Sequence, residues 1–425
     1  MRLHRQNGAI LTSAALLGLC LLGASASAAP DSVVAAVKAN NVTALAALSK
    51  SGPTAQQRSL AAGALLALHH EDAEAIAMLL PVTRSTASRI VRATAYLALS
   101  DVYIRDQRYH ARYSAIRAAS KLSPKSVDLG YQQSMAFAHE LTGVKPMRVV
   151  RETPGSLPIT DEKGGMIRVP VRIDGHRLGA MVDTGANMSA ISASVAKRVG
   201  IQTLGQSASV GSATERTVAV RLGIARRLQI GNAIFENVVF IVLPDSELSL
   251  PPSYRISAFI GLPVLMALGR LEFVNSGSPR LLYDISRGKT ANEARARPNM
   301  LLSGLEPLLL VRVPGAGNPL RMKLDTGSDR TYFTRNATQD APALFAHAEQ
   351  YVWHVGSAGG VVTERRARRL PEAPFIIGER RIVLKNVIVN SRASSTSDGV
   401  IGEDLLSQDA RWTIDFKSMT LAVAK

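Results

Sequence analysis

The chain is almost devoid of cysteine: Cys20 is the only one in 425 residues. A disulfide framework is thereby excluded, as is a thiol nucleophile in any form that has shed Cys20. Aromatic residues make up only 5%. That is too few to interleave with the basic residues as base-stacking platforms, so nucleic acid is not an expected partner. The eight histidines show no His-Glu-x-x-His spacing, and the adjacent His69-His70 cannot both face one ion from a helix, so no metal site is expected. Glycine-rich phosphate loops are absent, and no cofactor is implied. Gly356-Ser357-Ala358-Gly359 departs from the Gly-x-Ser-x-Gly nucleophile elbow. Ser194-Val195-Ala196-Lys197 has the form Ser-x-x-Lys but lacks the Lys-Thr-Gly and Ser-Asp-Asn partners of that serine chemistry. After the first residues no run of 18 apolar residues occurs, so no membrane-spanning helix is expected in the remainder.

What is present begins with a leader. Arg2 and Arg5 precede an apolar run from Ala9 to Leu22, and small residues from Ala24 to Ala29 follow. This order is that of a secretory signal peptide over residues 1–29, with cleavage after Ala28 or Ala29. About 14 apolar residues are too few to span a bilayer, so no stable membrane insertion is expected after cleavage. An exported chain without cysteine fits a Gram-negative periplasm, or secretion. The formal charge of +17 becomes 17 − 2 = +15 without Arg2 and Arg5. The densest basic run, Arg365-Arg366-Ala367-Arg368-Arg369, reads as a solvated strand edge where charge discourages further pairing.

The strongest signal is an internal repeat. Asp183-Thr184-Gly185 follows an apolar run, and Asp325-Thr326-Gly327 follows another 142 residues later (325 − 183). Their surroundings repeat as well. Val210-Gly211-Ser212-Ala213 recurs as Val355-Gly356-Ser357-Ala358, Ile260-Gly261 as Ile401-Gly402, and Arg270–Phe273 as Arg411–Ile414. One unit is written twice, and each copy carries one Asp-Thr-Gly. An Asp at the end of a strand is a carboxylate that can be aimed, and the glycine leaves room beside it. Thr184 and Thr326 can hydrogen-bond across a pseudo-twofold axis. If the loops meet, Asp183 and Asp325 share a proton. One then accepts a proton from water while the other donates to a scissile carbonyl, which is amide hydrolysis without metal or covalent intermediate. Each Asp-Thr-Gly taken alone also reads as an ordinary turn.

Each half resembles the retropepsin-like aspartic peptidases, over about residues 164–286 and 307–425. The resemblance is carried by Met181–Ser192, by Val195–Ile201 as the short helix after the first Asp loop, and by Ile260-Gly261 and Ile401-Gly402 as the element behind each loop. It implies a single-chain, two-lobed peptidase with Asp183 and Asp325 as catalytic pair. It also implies Thr184, Gly185, Thr326 and Gly327 as supporting loop residues, and Gly211, Ser212, Gly356 and Ser357 as substrate-covering flaps. Two departures stand out. The stretch Asn336–Pro342 is more broken than the helix of the first copy, and Asp329 adds a carboxylate close to Asp325.

Residues 30–146 are rich in Ala, Leu, Ser and Arg at helical spacing. Tyr96, Leu99, Tyr103, Tyr109, Ile116, Ala119 and Pro124 fall close to the tetratricopeptide-repeat pattern, with Val127–Leu141 as a capping helix. Residues 147–163 read as a linker between independently folding domains, and 287–306 as a linker between lobes. The expected architecture is therefore multidomain α + β: an N-terminal helical, tetratricopeptide-like domain, then two all-β acid-protease lobes at 164–286 and 307–425. The expected function is an aspartic endopeptidase acting as a monomer on an extended peptide or protein substrate, with a protein partner docked by the helical domain. The alternative is a non-catalytic peptide-binding or regulatory processing protein that keeps the same fold.

Overall fold

Helix boundaries follow the local capping chemistry. The computed structural model describes residues 30–162, 166–211, 217–250, 254–285, 297–357, 360–394 and 396–424; the leader 1–29 and Ser212 lie outside them. Seven α-helices come first: α1 Pro30–Lys38, α2 Val42–Ser51, α3 Ala55–Leu68, α4 Asp72–Thr83, α5 Arg89–Arg105, α6 Tyr109–Leu122 and α7 Leu129–Glu140. Asn41, Thr54, Ser88 and Asp128 cap α2, α3, α5 and α7 by accepting from backbone N–H groups of the first turn. The turns between consecutive helices are short, and Asn40, His70 and Gln107 bend them at φ 48°, 62° and 54°. Leu99, Tyr103, Tyr109, Ile116 and Ala119 are buried, as a helical stripe facing a core should be. Among the described residues no helix is long and apolar enough to cross a membrane.

The texture then changes to strands. Met166–Ile173 alternates buried with more exposed positions, and Asp174-Gly175, both at positive φ, turn it directly into His176–Val182. Lobe 1 is built on a nine-stranded sheet and lobe 2 on an eight-stranded one. In each lobe the strand that ends at the Asp loop lies parallel to a short later strand. Met181-Val182 pairs with Phe259-Ile260, and Met322–Leu324 pairs with Gly399–Ile401. A five-stranded sheet joins the lobes. In it Arg270–Val274 pairs antiparallel with Arg411–Asp415, so equivalent strands of the repeat meet. Phe273 stacks on Trp412 there at 3.8 Å, and both are fully buried.

Several expectations are corrected. Residues 147–163 are not a bare linker: Arg148–Arg151, Gly155–Pro158 and Thr160–Glu162 are strands. The first pairs with Ile234–Glu236 of lobe 1, and the second with Arg280–Tyr283 in the shared sheet. Backbone groups satisfied by neighbouring strands outweigh the proline content that marked a linker. The inter-lobe segment 287–306 likewise ends in a strand, Met300–Ser303, which pairs with Glu306–Leu309. Nor do the helices stand apart from the lobes. Leu301 and Leu308, both fully buried, belong to the hydrophobic core of the helical region. The Arg105 side chain, 2% exposed, donates to Ala67 O, Gly304 O and Leu302 O and pairs with Asp72. Asn40 Nδ2 donates to Ser303 Oγ at 2.9 Å and adds to the same contact. Within the basic run 365–369, Arg368 and Arg369 have strand partners on both sides, whereas Arg365 and Arg366 are exposed at a register break and lie before the second partner strand begins. A six-residue helix, Arg335–Asp340, does follow the second Asp loop, and Pro342 begins a separate turn.

Candidate active site

The two Asp-Thr-Gly loops meet back to front. Thr184 N donates to Thr326 Oγ1, and Thr326 N donates to Thr184 Oγ1, each at 3.0 Å. Each hydroxyl then donates at 2.8 Å to a carbonyl before the opposite Asp, Leu324 O for Thr184 and Val182 O for Thr326. Both threonines are completely buried, so these four bonds are shielded from water. Asp183 N donates to Ile260 O and Asp325 N to Ile401 O, each at 3.0 Å. A further layer holds the strands behind the loops. Gly261 N donates to Ser189 Oγ at 3.1 Å, and Gly402 N to Thr331 Oγ1 at 3.0 Å. Ser189 and Thr331 are again 142 residues apart (331 − 189).

This lock brings the carboxylates together. Asp183 Oδ1 accepts from Gly185 N at 2.9 Å and Asp325 Oδ1 from Gly327 N at 3.0 Å. A Cβ added to Gly185 would stand 2.2–2.3 Å from the carboxyl atoms of Asp325, and one on Gly327 would stand 2.6–2.8 Å from those of Asp183. Each carboxylate therefore lies on the glycine of the opposite loop, and no other residue type fits there.

The charges are not symmetric. Burial, then the negative charge of Asp325, pushes the Asp183 carboxyl up to about 7. Lys323 Nζ lies 3.5 Å from Asp325 Oδ2 and donates to Gly185 O at 3.0 Å. Burial would lower the Lys323 ammonium, but the charges of Asp325, Glu306 and Asp183 outweigh it and hold it above its ordinary value. Burial and the Asp325 charge push the Tyr332 hydroxyl up to about 12.

The pair opens on a cavity of about 1790 Å³, walled by both lobes and by the helices. On the lobe 1 side, Ala190, Val218, Leu243, Leu248 and Ile256 form an apolar wall with Phe137 of α7 packed against it. Tyr332, Tyr351, Trp353, His354 and Arg369 line the lobe 2 side. Asp101, Arg112 and Tyr131 face the same space from α5, α6 and α7, with Tyr131 Oη donating to Asp101 Oδ2 at 2.8 Å.

Of the residues expected from sequence, Asp183, Thr184, Gly185, Asp325, Thr326 and Gly327 come together. Gly211 pairs with Thr217 at the end of the lobe 1 hairpin. Gly356 lines the cavity, and the backbone of Ser357 pairs with Gly360 at the end of the lobe 2 hairpin. Asp329 is exposed at the cavity rim. Sequence reasoning missed Lys323, Ser189 and Thr331. Lys323 had a signal: it stands two residues before Asp325, where the first copy has Met181 two before Asp183, and residues two apart on a strand share a face. Among the described residues no group of three His, Cys, Asp or Glu side chains could hold a metal ion.

Residues 169–263 match the model of a family described as aspartyl protease. The matched segment includes the first Asp-Thr-Gly and Ile260-Gly261, and with the fold it supports a protease-type function. Among solved structures, the chain is similar to a retropepsin-like aspartic protease from Rickettsia conorii, at 16% identity over 33% of this chain and 96% of that one, with a TM-score of 0.21. It is also similar to a protein described as edgp, at 11% identity over 64% of this chain and 94% of that one, with a TM-score of 0.39. No curated protein matches the chain.

Proposed function

We propose that the protein is an aspartic endopeptidase that cleaves extended peptides by activating water between Asp183 and Asp325. The observation that carries this reading is the reciprocal Thr184–Thr326 lock, which lays each carboxylate on the glycine of the opposite loop. A peptide-binding protein needs neither carboxylate; a hydrolase of this type needs both. One carboxylate takes a proton from water, whose oxygen attacks the scissile carbonyl carbon. The other gives its proton to the carbonyl oxygen. The tetrahedral intermediate then collapses, the C–N bond breaks, and the nitrogen leaves with a proton returned by the dyad. The chain supplies both lobes, so a monomer suffices. Substrate lies as an added strand between the lobes under the hairpins that end at Gly211 and Gly356. The wall around Ile256 and Phe137 favours an apolar side chain next to the cleaved bond. We place the mature enzyme outside the cytoplasm, because residues 1–29 have the order of a signal peptide.

The test is cleavage of a diverse peptide library at about pH 5, read by mass spectrometry, with the wild type, Asp183→Asn and Asp325→Asn. The wild type should cut, and each variant should lose activity by about 10²–10⁴-fold. A wild type that binds peptides without cutting them, or a variant of near-normal turnover, contradicts the reading.

A further inference from the structure

A dyad built from two copies of one unit would leave its shared proton equally at home on either carboxylate. In this chain one of the differences between the two sides puts a cation beside the dyad. Two residues before Asp183 stands Met181, completely buried in the apolar wall of lobe 1. Two residues before Asp325 stands Lys323. Its ammonium bridges the lobes: it lies 3.5 Å from Asp325 Oδ2 and donates to Gly185 O of the opposite loop at 3.0 Å. The Lys323 and Asp325 side chains are only 22% and 20% exposed, so water screens the pair weakly.

We propose that Lys323 is a positioning residue that breaks the symmetry of the dyad, holding Asp325 as the carboxylate and leaving the shared proton on Asp183. The inference rests on the peptidase reading above and assigns its two roles. Asp325 takes the proton from water, and Asp183 donates its proton to the carbonyl oxygen. The groups that act on Lys323 are Asp325 on its own loop, Glu306 on the neighbouring strand, Asp183 from lobe 1, and Tyr332. Of these, Asp325 is the one in an ion pair with it. The raised position of Asp183, caused by burial and by the Asp325 charge, agrees with the assignment. The Lys323 bond to Gly185 O also fixes the loop on which the Asp325 carboxyl rests.

A cation beside the dyad makes its first deprotonation easier, so its loss should move the acid limb of activity upward. The experiment compares pH profiles of kcat/KM for the full chain with Lys323, Lys323→Met and Lys323→Arg. Methionine already occupies the equivalent place in lobe 1, so its volume is suited to this architecture. The acid limb of Lys323→Met should lie about one to three pH units higher than that of the wild type. That of Lys323→Arg should stay near the wild type, because the charge is kept. An unmoved limb in Lys323→Met, or an equal movement in both variants, overturns the proposal.

A second measurement needs neither turnover nor a Lys323 variant. In the wild type labelled with ¹³C at Asp carboxyls and assigned through each residue's backbone, the neutral-acid resonance of the singly protonated dyad should belong to Asp183. A neutral-acid resonance that belongs to Asp325 overturns the assignment. If no peptide is cut at all, the peptidase reading fails, while this spectrum still decides which of the two carboxyls holds the proton.

Discussion

At the scale of residues, the site stands on side chains that cannot be exchanged for near relatives. Thr326→Val keeps the shape but removes the acceptor of Thr184 N and the donor to Val182 O. A buried N–H left without a partner costs about 1–3 kcal/mol, so denaturant unfolding should show a loss of that order together with reduced turnover. Gly185→Ala should abolish hydrolysis, because its Cβ would overlap the Asp325 carboxyl. Asp183 also has a consequence for stability. Its folded position of about 7 lies above the ordinary value of 3.8, so the folded protein binds the proton more tightly than the unfolded chain. The stability from that proton is complete below the unfolded value and is lost as pH rises through about 7. Asp183→Asn should therefore raise the melting temperature at about pH 7.5 by roughly 2–4 °C per kcal/mol recovered, with the gain vanishing at about pH 4. An equal gain at both values contradicts the linkage. The two Asp-Thr-Gly tripeptides were legible in the sequence because the repeat isolates them. Ser189 and Thr331 were not, because a buried hydroxyl among apolar strand residues looks like any other strand residue until its partner is known.

At the scale of elements, the strands carry the argument and the contact between helices and lobe 2 is where sequence reading went astray. Alternation over Ile167–Ile173 and the Asp174-Gly175 turn are local signals, and local signals survive folding intact. Whether a proline-containing stretch pairs with a strand far along the chain is a long-range fact, so 147–163 passed for a linker. Leu301 read as part of the inter-lobe linker and Leu308 as an ordinary strand residue of lobe 2, yet both belong to the helical core. Leu308→Ala should cost about 2–5 kcal/mol and destabilise helices and lobe 2 together, in one calorimetric transition. Two separated transitions, with only one shifted, would show that the helices are independent. A chain that starts near Gly164 should aggregate, since it lacks the Gly155–Pro158 strand and exposes both leucines.

At the scale of the whole molecule, a helical region and two lobes joined by a shared sheet wall a cavity with the dyad in it. The helices wall that cavity through Phe137, Asp101 and Arg112, so bulky folded proteins should be excluded while unfolded segments enter. Cleavage of a reduced, unfolded substrate should exceed that of the same protein folded by at least about tenfold, judged by the cost of local opening; equal rates contradict the enclosure. The central claim is that one chain assembles one dyad from its two lobes. A transition-state mimic that places a hydroxyl between the carboxylates tests it most directly. In calorimetric titration of the full chain, sedimenting as a monomer, the account predicts one mimic per chain and loss of tight binding in both Asp183→Asn and Asp325→Asn. One mimic per two chains, or undiminished binding by either variant, would contradict it.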